Sequence, residues 1–120
     1  MARSLQQRIT PSRFRSERRD ALLRQIKVIV HSALPDAEVI LYGSQARGEA
    51  TRESDWDILV LTDTAVTFDF ERRIWHLLDA LSLEEAVVIS AMVFNRQDWQ
   101  GSFMSETPYY ANVSREGITI

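Results

Sequence analysis

Two aspartates one residue apart, Asp55 and Asp57, open the apolar run DWDILVL. Residues i and i+2 of a strand leave the same face, so both carboxylates point one way. Anions held that close repel each other, which is tolerable when a cation lies between them or solvent screens them. Hard oxygen donors without imidazole or thiolate favour Mg²⁺ or Mn²⁺, and Mg²⁺ held by one or two carboxylates commonly shares substrate phosphate oxygens. A solvated Asp-x-Asp at a strand end is the ordinary alternative, and the pair alone does not exclude it.

The residues just upstream bear on that choice. Gly43 closes the apolar segment EVILY, and a glycine there lets backbone N–H groups approach a ligand closely; a helical turn opening at Ser44 directs further donors outward. A phosphate could sit on such a turn. Arg47 projects from the same turn, able to hold another phosphate oxygen or to form a surface ion pair with Glu49 or Glu53. Ser54, immediately before the pair, could cap the strand entrance or touch a phosphate. Trp56 lies between the aspartates and must point to the opposite face, into the core.

These groups need a frame, and the hydrophobic pattern supplies one. Ser12 to Leu34 reads as a helix with Leu22, Ile26, Ile29, Val30 and Ala33 on one face, Ser12 as a possible cap and Pro35 as a stop. Glu38 to Tyr42 and Asp55 to Leu61 read as strands, and Ser44 to Arg47 as one helical turn ended by Gly48. Thr67 to Leu81 fits a second long helix through Phe70, Ile74, Leu77, Leu78 and Leu81. Ala86 to Phe94 (AVVISAMVF) is apolar enough to predict a strand buried on both faces. Pro108 to Arg115 fits a last short helix, capped by Thr107 and stopped by Gly117. His31 and His76 sit inside helical patterns without a partner at ligand spacing, and Trp75, Trp99 and Met92 read as core or near-core residues.

Composition limits the possible chemistry. The chain has 120 residues, 45% of them hydrophobic, and no cysteine, so disulfides, thiolate metal sites and thiol nucleophiles are excluded. That length predicts a single domain over residues 1–120, with 1–11 as a flexible arm. No apolar run approaches the ~20 residues that cross a bilayer and no signal core precedes the first helix, so a soluble cytoplasmic protein is expected. The net charge of −3 hides a leading segment, residues 1–27, at +6 and a remainder at −9. The basic segment is interspersed with Glu17 and Asp20 and reads as a solvated helix face, so direct nucleic-acid binding is not expected.

Taken together, Gly43-Ser44, Ala46-Arg47-Gly48 and Ser54-Asp55-x-Asp57 ahead of ILVL resemble the signature of the DNA polymerase β-like nucleotidyltransferase superfamily, and the short GSxARG form is similar to the minimal nucleotidyltransferases. The resemblance implies an α+β fold: a small mixed or antiparallel sheet of three to four strands covered by helices, the palm of that superfamily. It implies Mg²⁺ or Mn²⁺ on Asp55 and Asp57, ATP as nucleotide substrate with its phosphates on Gly43, Ser44 and Arg47 and near Ser54, and transfer of AMP to a hydroxyl. The hydroxyl is expected on a HEPN-type partner protein of a toxin–antitoxin pair. Two alternatives stay open: an impaired binding module that neutralises its partner by contact, and a homodimer that adenylylates a small molecule. Active members commonly carry a third carboxylate on the neighbouring strand, yet Val87 to Phe94 has no acid; Ser90 or Val88 occupies the place, and Glu85 is nominated from the helix end, where ordinary solvent exposure is the alternative for Glu84 and Glu85.

Overall fold

The computed structural model describes residues 11–120, so most of the expected arm at 1–11 lies outside the described residues. Helix α1 (Pro11–Ala33) precedes β1 (Glu38–Tyr42), the short turn α2 (Ser44–Arg47), β2 (Trp56–Thr62), α3 (Phe68–Glu85) and β3 (Ile89–Asn95). A short α4 (Arg96–Gln100), a 3₁₀ turn (Met104–Glu106), α5 (Pro108–Glu116) and β4 (Ile118–Thr119) follow. The strands form one mixed sheet in the order β3-β2-β1-β4, with β1 antiparallel to β2 and β4, and β2 parallel to β3. This is the α+β architecture expected from the motif.

Alternation along the strands divides the core into two layers. Val39, Leu41, Trp56, Ile58, Val60, Ala91 and Val93 face α1 and α3, packing against Ile26, Val30, Ile74 and Leu78. Leu59 and Leu61 face the other way, against Trp99 of α4 and Val113 of α5. The central strand β2 is therefore the one buried on both faces.

That arrangement corrects several expectations. β3 is an edge strand: it begins at Ile89, and Val88, Ser90 and Met92 are exposed, Met92 at 39%. Its apolar run looked continuous because α3 continues to Glu85 and ends on Ala86 in the left-handed conformation, so part of the run is helix end and loop. On α1 the buried stripe is Leu22, Leu23, Ile26 and Val30, with Leu34 buried just past its end; Ala33 is exposed, and Ser12 lies inside the helix instead of capping it. Trp75 donates its indole N–H to the Ala91 carbonyl at 2.7 Å, and His31 Nε2 lies 2.9 Å from the Ala37 carbonyl, structural roles for both.

At the end of the sheet away from the motif, Asp36 holds the α1–β1 turn. Its carboxylate accepts from the Asp63 amide at 2.8 Å and the Thr62 hydroxyl at 3.0 Å, with the Arg96 guanidinium 3.4 Å away. The Asp63 amide above all, then against some burial the Thr62 hydroxyl and Arg96, holds this carboxyl below its ordinary range. The charged form is thus favoured by folding: the contribution is complete above an unfolded pKa of about 4 and is lost as pH falls through the lower folded value. Urea midpoints of wild type and Asp36→Asn are expected to differ at neutral pH and to converge below about pH 4. A gap that stays constant into acid would contradict this assignment.

Candidate active site

Sheet register assembles the motif. Antiparallel pairing sets Tyr42 opposite Asp57, so the chain leaving β1 turns at Gly43 directly beside the entrance of β2. Gly43 adopts φ 75°, ψ −159°, a conformation open essentially to glycine, and a β-carbon there would collide with the Asp57 carboxylate. The Gly43 carbonyl then accepts from the amides of Ala46 at 3.0 Å and Arg47 at 3.1 Å, winding α2, which Gly48 closes in the left-handed conformation. Gln45 anchors the turn: it is buried, donates to the Ser54 carbonyl at 3.4 Å, and offers its own carbonyl to Arg19 of α1 at 3.3 Å.

The two aspartates differ in setting. β2 begins at Trp56, which is buried against α1 and α3, so Asp55 precedes the strand and is exposed while Asp57 is half-buried inside it. Burial first, then the charge of Asp55, pushes the Asp57 carboxyl above its ordinary range; Arg47 pulls the other way and Glu116 adds to the rise. A half-buried carboxylate whose ionisation is opposed in this way, with a second hard oxygen donor two residues before it, fits a divalent cation, which would offset both the burial and the repulsion. Among the described residues no cluster of three or more His, Asp or Glu side chains could hold an ion unaided. The remaining positions would fall to phosphate oxygens and water, as is usual for Mg²⁺.

Beneath Asp57 the sheet carries aromatic rings. Tyr109 donates to the Tyr42 hydroxyl at 2.8 Å, and Trp99 meets Tyr109 edge-to-face and Tyr110 and Phe94 at tilted angles. Burial, with a smaller contribution from the Asp57 charge, pushes both the Tyr42 and Tyr109 phenols up, so they stay neutral.

The other candidates are distributed as follows. Ser44 opens α2 beside Gly43. Ser54 Oγ accepts from the Thr51 amide at 2.8 Å, which gives it the loop-closing role. Arg47 pairs with Glu49 at 3.0 Å, one of the two surface partners expected, and also with Glu116 at 3.0 Å. Ser90 lies opposite Asp57 in the parallel pairing, so the β3 position beside that aspartate carries a hydroxyl and no acid. Glu85 is not brought to the aspartates: it ends α3 and lines the groove between α1 and α3 with Arg24, Val28 and Leu77.

The acid that does reach this turn was missed by the sequence reading. Glu116 Oε1 accepts the Gly43 amide at 3.0 Å while Oε2 accepts from Arg47. One signal pointed to it: a carboxylate in the last turn of a helix opposes the macrodipole and needs a partner elsewhere. Burial pushes the Glu116 carboxyl upward, but the bonds from Arg47 and the Gly43 amide outweigh it, leaving the group below its ordinary range.

The mixed four-stranded sheet sets the Gly43–Ser44 turn against Asp57, as the sequence motif predicts. The nucleotidyltransferase domain model matches residues 23–109, and the chain belongs to that family of enzymes. Two proteins of Methanocaldococcus jannaschii named "putative protein adenylyltransferase" are relatives. MJ0141 is 30% identical over 91 residues, covering 74% of this chain and 91% of the relative. MJ0604 is 38% identical over 86 residues, covering 67% and 73%. Among solved structures, a toxin–antitoxin with AMP-PNP superposes with a TM-score of 0.58 at 18% identity, covering 80% of this chain and 69% of the other. A variant of the toxin–antitoxin MntA-HpeT gives 0.56 at 15% identity with the same coverage. These two likenesses are of fold. No described helix is long and apolar enough to cross a membrane.

Proposed function

We propose that this chain transfers AMP from ATP to a hydroxyl of a partner protein of the HEPN type, as the antitoxin of a toxin–antitoxin pair. The observation that carries the reading is the contact between the Gly43 turn and Asp57, which supports it by setting backbone donors beside a carboxylate of the Asp-x-Asp pair. Names borne by the relatives, protein adenylyltransferase and toxin–antitoxin, support the acceptor class. Asp55 is exposed, which leaves it open to an acceptor supplied by a partner.

In this reading Gly43 and Ser44 hold the terminal phosphates through backbone N–H groups and the serine hydroxyl, fixing the nucleotide for in-line displacement. Arg47 adds fixed positive charge where negative charge accumulates. Asp55 and Asp57 would hold Mg²⁺, which when bound supplies charge neutralisation at the phosphates and favours ionisation of the acceptor hydroxyl. The bond formed joins the acceptor oxygen to the α-phosphorus; the bond broken is that to the bridging oxygen of the leaving pyrophosphate. Asp57 is half-buried above the ring layer, so its charge acts at reduced screening.

Incubation with α-labelled ATP, Mg²⁺ and the product of the neighbouring gene is expected to label that product. Intact nucleotide binding with no label on any partner would contradict the reading. A second reading, a binding module that neutralises its partner by contact, is favoured by Ser90 standing where a third acid was sought. Asp55→Asn with Asp57→Asn separates the two: a module keeps its effect on the partner, whereas an enzyme loses it.

A further inference from the structure

Glu116 occupies the seat that the proposed function gives to phosphate. Its two carboxylate oxygens take the Gly43 amide and the Arg47 guanidinium, each at 3.0 Å, and only 13% of its side chain is exposed. Both donors are groups that a polyphosphate would need. The backbone carrying Glu116 is fixed on both sides. The Gly117 amide donates to the Val113 carbonyl at 2.7 Å, and Ile118 and Thr119 pair with Leu41 and Ile40 of β1. Gly117 has no room for a β-carbon, which would press on the Val113 carbonyl and the Ile40 side chain. What can move is the Glu116 side chain itself, by rotation about its own bonds.

We infer that Glu116 is an internal anion that holds the Gly43–Arg47 seat in the empty enzyme and must be displaced by the incoming polyphosphate. Its residue type matters: a carboxylate reproduces two oxygens of a phosphate and competes for the same two donors. It is not a third metal ligand in this arrangement, because both oxygens are engaged and no three-acid cluster forms among the described residues. Glu116 also lies beyond residues 23–109, the span of the family match. It ties Arg47 to the Gly43 turn, and it sets a threshold that mononucleotides with a single phosphate meet less well than triphosphates.

The inference rests on the site reading above, and the test separates the two. Mg·ATP and Mg·AMP binding is measured by calorimetry for the full chain as wild type, Glu116→Gln and Glu116→Ala, with melting curves to confirm folding. Removal of the competing charge is expected to tighten Mg·ATP by about fivefold or more, charge-assisted bonds being among the stronger polar contacts. The alanine variant should gain at least as much as glutamine, and AMP, which lacks the terminal phosphates, should gain less than ATP. Wild type that binds ATP while both variants bind equally or more weakly overturns the internal-anion role and leaves the site reading standing. Wild type and variants that all fail to bind ATP overturn both. A glutamine variant that alone folds still decides the matter, since it keeps the shape and loses the charge.

Discussion

Asp57→Asn is expected to lower adenylyl transfer about a thousandfold in kcat/KM, since a metal ion's charge stabilisation is worth several kcal/mol and roughly 1.4 kcal/mol is tenfold. The substitution keeps the side-chain shape and removes one donor of the Asp55–Asp57 pair. It should not unfold the protein. Asp57 ionises against burial and against the charge of Asp55, so in chelator-treated protein the neutral asparagine relieves repulsion instead of breaking a bond. The melting temperature without metal is therefore expected to stay level or rise, while the stabilisation that Mg·ATP confers on wild type disappears. A variant that melts well below wild type would assign Asp57 a structural role and contradict the account.

Gly43→Ala is the second large effect, and here stability and activity should fall together. The φ of 75° and ψ of −159° strain any side-chain-bearing residue by about 1–3 kcal/mol, and the added methyl would run into the Asp57 carboxylate. The turn can relieve that collision by moving away from β2, which separates the phosphate donors from the metal-binding acids. Misplacement by about 1 Å is enough for a hundredfold loss of rate. Gly48→Ala is the informative comparison: Gly48 also has positive φ, at 74°, but a β-carbon there meets nothing within 4 Å. Its stability loss should be about 1 kcal/mol, with a much smaller loss of rate. Equal activity losses in the two variants would mean that the Gly43–Asp57 contact is not what matters.

The site was legible in the sequence where its parts are consecutive. Gly43, Ser44, Arg47, Asp55 and Asp57 lie on one strand–turn–strand unit, so spacing and strand periodicity were enough to bring them together. The long helices followed from apolar spacing, and the Thr107 cap stands where expected, accepting the Tyr110 amide; Thr67, read as the first helical residue, is itself a cap and accepts the Phe70 amide. Glu116 could not be found that way, because its approach to Gly43 depends on β4, a two-residue strand too short to show any pattern. α4 was hidden for a similar reason: five residues, RQDWQ, give no helical period, and only the Asn95 cap marks the start. The misreading of β3 has a different cause. An apolar run shows that side chains avoid water on some face, but edge position follows from strand order, which is set by contacts distant in sequence.

Glu85 illustrates the same limit. Helix α3 carries it toward the aspartate end of the sheet, yet the helix packs on the α1 side, and the aspartate shared with β2 faces the α5 side. Position along a sheet could be guessed from strand direction; the face could not, because it turns on a one-residue shift of register.

The central claim is that the Gly43–Asp57 junction seats the polyphosphate and metal of a nucleotidyl donor. A crystal structure of the chain with Mg²⁺ and a non-hydrolysable ATP analogue tests it most directly. The expected result is phosphate oxygens on the Gly43 and Ser44 amides, with the metal between them and the Asp55 and Asp57 carboxylates. Polyphosphate seated elsewhere on the surface, with Asp55 and Asp57 facing neither metal nor phosphate, would contradict it.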